Sequence, residues 1–282
     1  MKKAYDLTED RIKAFERQLR LEEREPGTIE KYLHTLRTFA AWLKGRPVTK
    51  DLAALWKETL RKENYQPGTV NSKLSALNRF FAFAGWEECR VNYLKVQKRA
   101  FRGAEKELTR EEYLRLLEAA RKIENPRLAL LIETICATGI RVSEVKYITA
   151  EAIQVGRTDI ALKGKIRTIL IPGKLCRKLE KYAQKQKIAS GEVFLTRSGR
   201  GISRRQIWAE MKALYKEAGV AASKVFPHNL RHLFARTFYR IYKDVVRLAD
   251  VLGHSSMETT RIYLISTGAE HARQMERLRL IL

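Results

Sequence analysis

Cysteine is scarce in this sequence. Its three copies, Cys89, Cys136 and Cys176, lie far apart and match no metal-ligand spacing. A cysteine-based metal centre is thereby excluded, and a reducing compartment fits. Cys136 sits in an apolar run and reads as a small core residue. Long apolar runs are missing too. None approaches the roughly 18 residues a membrane-spanning helix requires, so no membrane partner is expected. Met1-Lys2-Lys3 leads into a charged amphipathic segment, so no signal peptide is visible and the expected location is cytoplasmic. Acidic residues are in deficit. Asp plus Glu number 32 against 56 Lys plus Arg, a formal net charge of +24. Such a surplus repels itself unless a polyanion relieves it. Nucleic acid is the natural partner, bound largely through phosphates and therefore weakened by salt. Charge alone leaves open a ribosome-associated protein or a basic enzyme of another kind.

Apolar residues are plentiful, at 45% of 282, enough to build cores for one large domain or two modest ones. The first hundred residues carry helical periodicity. Ile12, Phe15 and Leu19 form one stripe, and Ile29, Leu33, Leu36, Ala40 and Leu43 a second. Leu52, Leu55, Trp56 and Leu60 form a third, and Val70, Leu74, Leu77 and Phe81 a fourth. Pro26-Gly27-Thr28 and Pro67-Gly68-Thr69 open the second and fourth segments alike. Each reads as a Pro-Gly turn presenting a Thr at the N-cap, and two copies are too few for a solenoid. Residues 91–107 are basic and contain small residues, which suggests an exposed linker. The domain boundary is placed near Arg102, dividing the chain into residues 1–101 and 102–282. Beyond it, Thr109 with Glu112 predicts a capping box, and helices are expected at 109–122, 126–137 and 141–147. Residues 159–163 and 167–171 read as a hairpin turning at Gly164, and Val193-Phe194-Leu195 as a third strand. Further helices are expected at 175–188, after the Ser203 cap, at 227–242, at 244–252 and leading to Tyr263.

Five side chains in the second part stand out. Arg141 lies in Ala137-Thr138-Gly139-Ile140-Arg141-Val142-Ser143-Glu144. His228 and Arg231 lie in Pro227-His228-Asn229-Leu230-Arg231-His232, His254 follows Leu252-Gly253, and Tyr263 follows Arg261-Ile262. Arginine's planar fork suits the non-bridging oxygens of a phosphodiester, and two forks can hold one phosphate from two sides. Glu144, three residues after Arg141, is within helical reach and can aim its guanidinium; the alternative is an ordinary surface ion pair. His228 and Arg231, also three apart, share one helix face. Histidine moves protons near neutrality, and His228 and His254 are two of only five in the chain. His228 and His232 stand at the i, i+4 spacing of a zinc pair. Asn229 replaces the Glu of the protease motif and no third ligand is evident, so no metal is expected and His232 reads as a supporting residue. Tyr263 is the candidate nucleophile. Its phenol, with a free pKa of about 10, needs cationic neighbours to become reactive. Without the upstream constellation it would be one of 11 tyrosines packing on a helix.

Taken together, these blocks resemble the tyrosine recombinase (integrase) family. The resemblance rests on Ala-Thr-Gly-x-Arg-x-Ser-Glu, His-x-Leu-Arg-His, Leu-Gly-His, and a Tyr nine residues after that His. It covers the chain from about Glu107 onward and extends more loosely to the N-terminal helices. Xer-like and transposon-borne integrases are similar in size. The resemblance implies a mainly α fold with a small β-hairpin: an N-terminal helical, SAM-like core-binding domain and a mixed α/β catalytic domain. It implies cleavage and rejoining of DNA at specific core sites through a 3′-phosphotyrosyl intermediate, without cofactor. Tyr263 would attack, Arg141 and Arg231 clamp the phosphate, His228 assist proton transfer and His254 hydrogen-bond the phosphate. A hairpin lysine would protonate the leaving oxygen. The hairpin Lys163-Gly164-Lys165-Ile166-Arg167 is one residue shorter than the family pattern. Lys163 is therefore the candidate acid, with Lys165 as the alternative; strand register decides between them. Lys95, Lys98, Arg99, Arg102, Lys165, Arg167, Arg204 and Arg205 are expected to contact DNA. The tail 264–282 carries Met275, Leu278, Ile281 and Leu282 on a partly apolar stripe. The resemblance implies that it docks on a neighbouring subunit of a homo-tetramer. A type IB topoisomerase and a non-catalytic basic DNA-binding protein are the alternatives.

Overall fold

The computed structural model describes residues 4–95, 106–162, 165–254, 256–257, 259–260 and 276–277. The chain divides into two compact units, Met1–Lys98 and Arg99–Leu282.

Four helices build the first unit: α1 (Glu9–Leu21), α2 (Pro26–Leu43), α3 (Lys50–Lys62) and α4 (Pro67–Phe83). Each stripe read from the sequence faces one core, where Phe15, Phe39, Trp56, Phe80 and Phe81 are all buried. Phe15 meets Phe80 edge to face, with centroids 5.4 Å apart, the geometry that suits aromatic quadrupoles. Leu55 departs most from this, half exposed on the outer face of α3. The Pro-Gly pairs also behave differently from expectation. Pro26 and Pro67 are the first helical residues, with Glu25 and Gln66 at the N-cap, so Thr28 and Thr69 lie inside the first turn. Proline's fixed φ and missing N–H suit that position, which explains why the helices begin three residues earlier than a Thr N-cap implies. After α4, two asparagines fix the departing chain. Asn78 donates to the Val91 carbonyl at 2.8 Å and accepts from its N–H at 2.9 Å. Asn71 holds Leu94 in the same way, at 3.0 and 2.8 Å.

The second unit starts with the expected capping box. Thr109 accepts from the Glu112 N–H and Glu112 from the Thr109 N–H. It opens α5 (Arg110–Lys122), which packs on α6 (Pro126–Thr138). α6 is the spine of this core, with Leu128, Leu131, Ile132 and Ile135 all buried. Residues 142–147 form a 3₁₀ turn rather than an α-helix, with Arg141 extended at its N-cap. A short helix absent from the expectations, α7 (Ala150–Val155), leads into β1 (Arg157–Leu162) and β2 (Lys165–Leu170). The two strands pair antiparallel, Leu162 with Lys165 and Ile160 with Arg167. Gly164, the expected turn residue, lies outside the described residues. The third strand does not form. Val193–Leu195 makes one isolated bridge, Leu195 to Gly201, inside a tight loop, and the sheet has two strands among the described residues. Then come α8 (Gly173–Lys185), α9 (Arg204–Ala213), α10 (Pro227–Tyr242) and α11 (Val245–Leu252). No described helix is long and apolar enough to cross a membrane.

Candidate active site

α10 is held along its length, and this fixes the side chains it carries. Asn229 donates to the carbonyls of Lys106 and Lys224, at 3.1 and 2.8 Å. Arg236 pairs with Glu107 and donates to the Leu108 carbonyl. On the opposite side, α10 packs against the end of α6. Gly139 closes α6 with φ +65°, and a Cβ there would meet the Phe234 ring at 2.4 Å. This close approach needs glycine for both its backbone conformation and its missing side chain. It places Arg231 of α10 against the α6 terminus.

Arg231 is buried, and its fork engages three elements. Nη1 donates to the Gly139 carbonyl. Nη2 donates to the Leu252 carbonyl at 2.8 Å and reaches His254 Nε2 at 2.9 Å. Guanidinium only donates, so His254 Nε2 accepts and its proton sits on Nδ1, which donates to Thr260 Oγ1 at 2.8 Å. Burial depresses the His254 pKa, and the cations Arg231, Arg141 and Arg167 and the neighbouring His228 add to the effect, bringing it to about 4. The ring is therefore neutral at pH 7. His228 stands exposed at the start of α10, its ring edge-on to the buried His232 at 4.6 Å.

Arg141 reaches the same place from the other side. Its backbone N–H donates to Glu144 Oε2 at 2.7 Å, its Nη1 to Glu144 Oε1 at 2.8 Å and its Nη2 to the Gly253 carbonyl at 3.3 Å. Glu144 has no exposed side-chain surface, so this is not an ordinary surface pair. Burial alone would raise its pKa. The Arg141 N–H and the two guanidinium groups outweigh that and hold it below the usual carboxylate range.

The second guanidinium is Arg167, and here the structure departs from expectation. Arg167 was expected on DNA. Instead it turns inward, its side chain 9% exposed, with Nη1 on Glu144 at 2.6 Å and Nη2 on the Val251 carbonyl at 2.9 Å. Its phase explains this. It alternates with Ile169 and Ile171, both buried, while Ile166 and Leu170 point outward. Arg204 and Arg205 are exposed at the first turn of α9, and Lys95 is exposed in the first unit. Lys165 is described only as the first residue of β2. Lys163, Tyr263, Lys98, Arg99 and Arg102 lie outside the described residues, as does the tail save Glu276 and Arg277. Among the described residues, no three His, Cys, Asp or Glu gather to hold a metal ion. Sequence reasoning missed Thr260, the partner of His254, since nothing in its spacing distinguishes it from other helix threonines.

The arrangement brings two arginines, a neutral histidine and an exposed histidine to the ends of α6, α10 and α11. Such a set has the chemistry to bind an anion and to move protons. Residues 106–270 match the phage integrase family, and residues 12–88 match the phage integrase N-terminal SAM-like domain. This chain belongs to the phage integrase family. It is a tyrosine recombinase. Among curated relatives, the tyrosine recombinase XerA of Thermococcus kodakarensis is 32% identical over 94% of this chain and 93% of its own length. XerA of Pyrococcus furiosus is 31% identical over 62% of this chain and 63% of its own length. The fold is similar to that of a lambda integrase tetramer bound to a Holliday junction, with TM-score 0.75 and 18% identity. That match covers 92% of this chain and 77% of the other.

The acid sensitivity of the site follows from His254. Its folded pKa lies below the value of about 6.5 for a free imidazole. Between that value and about 4 the unfolded chain takes up a proton that the folded chain refuses. Stability therefore falls as pH falls through this window. Glu144 adds loss of the same sign at lower pH, as its depressed carboxylate titrates. Melting temperature is expected to drop from pH 7 to pH 5, and His254→Gln to flatten that slope. An unchanged slope in the variant would show that the imidazole is not held neutral.

Proposed function

We propose that this tyrosine recombinase cuts and rejoins duplex DNA at a specific core site through a 3′-phosphotyrosyl intermediate. The observation that carries this reading is the hydrogen-bonded cluster of Arg141, Arg231 and His254 at the meeting of three helix ends. Arg141 and Arg231 take the two non-bridging oxygens of the scissile phosphate. Arg231 is committed to carbonyl groups and to His254 in this state, so phosphate entry exchanges at least one of these bonds. The phosphate's negative charge then favours protonated His254, which donates to it. His228, exposed beside the cluster, assists proton transfer. The Tyr263 oxygen attacks phosphorus, a P–O bond to tyrosine forms, and the bond to the 5′-oxygen breaks. Lys163, or Lys165, gives that oxygen its proton. A 5′-hydroxyl from a partner strand reverses these steps. One phosphate ester replaces another throughout, so no nucleotide is consumed.

The chain acts as a homo-tetramer on two duplexes in the cytoplasm, with tail 264–282 reaching a neighbour and Arg204, Arg205 and Lys95 to Arg102 on DNA. The lambda integrase tetramer on a Holliday junction supports this assembly. A type IB topoisomerase reading is disfavoured, because both the catalytic and the SAM-like domains match the integrase family.

The test uses fragments of host DNA incubated with the purified protein and quenched in detergent. Covalent adducts linked to a 3′ phosphate are expected at one site flanked by inverted repeats. Site-independent relaxation of supercoiled plasmid, or binding with no adduct, would overturn the reading.

A further inference from the structure

Arg167 joins three parts of the site and is given no role in the chemistry above. Through Nη1 it shares Glu144 with Arg141. Through Nη2 it holds the Val251 carbonyl, at the end of α11 and three residues before His254. The turn after α11 is shaped around it. Gly253 has φ +62°, and a Cβ there would lie 2.2 Å from Arg167 Cδ. With 9% of its side chain exposed, Arg167 is out of reach of a DNA backbone. Yet it stands on β2, in a two-stranded sheet, four and two residues after Lys163 and Lys165. An isolated hairpin of two strands is marginal by itself and takes its position from what it packs against.

We propose that Arg167 is a positioning residue for the leaving-group step. It locks the hairpin, through β2, to the two turns that present Arg141 and His254 to the phosphate. The proposal rests on the hairpin lysine being the general acid. A general acid must come within about 2.6–3.2 Å of the atom it protonates. A misplacement of about 1 Å costs on the order of 10²-fold in rate. Arginine's planar fork can span Glu144 and Val251 together, whereas a lysine ammonium is a single point charge. Arg167→Lys therefore keeps a cation beside Glu144 and releases α11.

The experiment compares single-turnover cleavage of two nicked core-site substrates. One has the natural bridging 5′-oxygen and the other a bridging 5′-sulfur. Breaking the P–S bond releases a thiolate that needs no proton, so it bypasses the general acid while leaving the tyrosine attack unchanged. Arg167→Lys is expected to slow the oxygen substrate on the order of 10²-fold, and to cleave the sulfur substrate within about threefold of the parent protein. Equal impairment on both substrates, or full activity on the oxygen substrate, overturns the proposal. Lys163→Ala and Lys165→Ala run alongside. If one of them is rescued by sulfur and Arg167→Lys is not, the positioning role alone falls. If neither lysine variant is rescued, the general-acid assignment falls and takes the proposal with it. Arg167→Met serves as a second variant, with thermal melting to report folding. It lacks the cation, and rescue by sulfur in a folded Arg167→Met protein gives the same support.

Discussion

Tyr263→Phe is expected to abolish covalent adduct formation while leaving DNA binding almost unchanged. The substitution removes one oxygen, the only atom at this position that can bond phosphorus. All 56 lysines and arginines remain, so the counterion release that dominates affinity is preserved. The salt slope should match the parent and affinity for core-site DNA should stay within about tenfold, because a single hydrogen bond is worth about 0.5–1.5 kcal/mol. The readouts are a gel shift across a salt series and a detergent gel with labelled DNA. A denaturant-stable complex formed by Tyr263→Phe would show that another group is the nucleophile. A loss of binding comparable to the loss of cleavage would show that the phenol holds the complex together rather than reacting.

Most of the helical architecture was legible because it follows from periodicity. Ile12, Phe15 and Leu19, or Val70, Leu74 and Leu77, can bury one face only as helices, and they do. Local chemistry at helix starts was read less well. In the sequence Pro26 and Pro67 read as turn residues, whereas proline serves at the first helical position, where no N–H is needed. The third strand failed for a different reason. Val193 and Phe194 are apolar enough for a strand, but they are buried by packing in a loop flanked by two isolated bridges, Thr149 to Glu192 and Leu195 to Gly201. Burial of a short apolar run does not distinguish strand from packed loop.

At the site, residue identity was readable and orientation was not. Arg141, Arg231 and His254 stand out by their chemistry, but that Arg231 is buried against Gly139 and Leu252 depends on how α6, α10 and α11 meet. Arg167 is the instructive error. Net charge of +24 made a surface role the natural assumption. Its alternation with Ile169 and Ile171 already pointed inward, and a period of two outweighs residue type on a hairpin with one buried face. What no sequence pattern supplied was the partner that makes such burial tolerable, a carboxylate 23 residues upstream.

That carboxylate has the largest expected effect on stability. Glu144→Ala removes the carboxylate shared by two guanidinium groups, one of them 9% exposed. Arg141 can turn toward solvent, since 39% of its side chain is exposed, but Arg167 cannot. Leaving a buried charge without its partner costs about 3–5 kcal/mol. For a unit of this size that lowers the melting temperature on the order of 10 °C. Cleavage should fail as well, because Arg141 loses both the N–H and guanidinium contacts that aim it at the phosphate. Stability and catalysis can then be separated. In Glu144→Leu/Arg167→Met the unpaired charge is gone and two apolar side chains of similar volume replace the pair, a change that is often neutral in a packed interior. The double variant should recover most of the melting temperature lost by Glu144→Ala and still not cut DNA. A double variant as unstable as the single one would mean that the ion pair itself, rather than relief of a buried charge, holds the end of α11 against the hairpin. Recovery of cutting along with stability would mean that Arg141 finds its aim without Glu144.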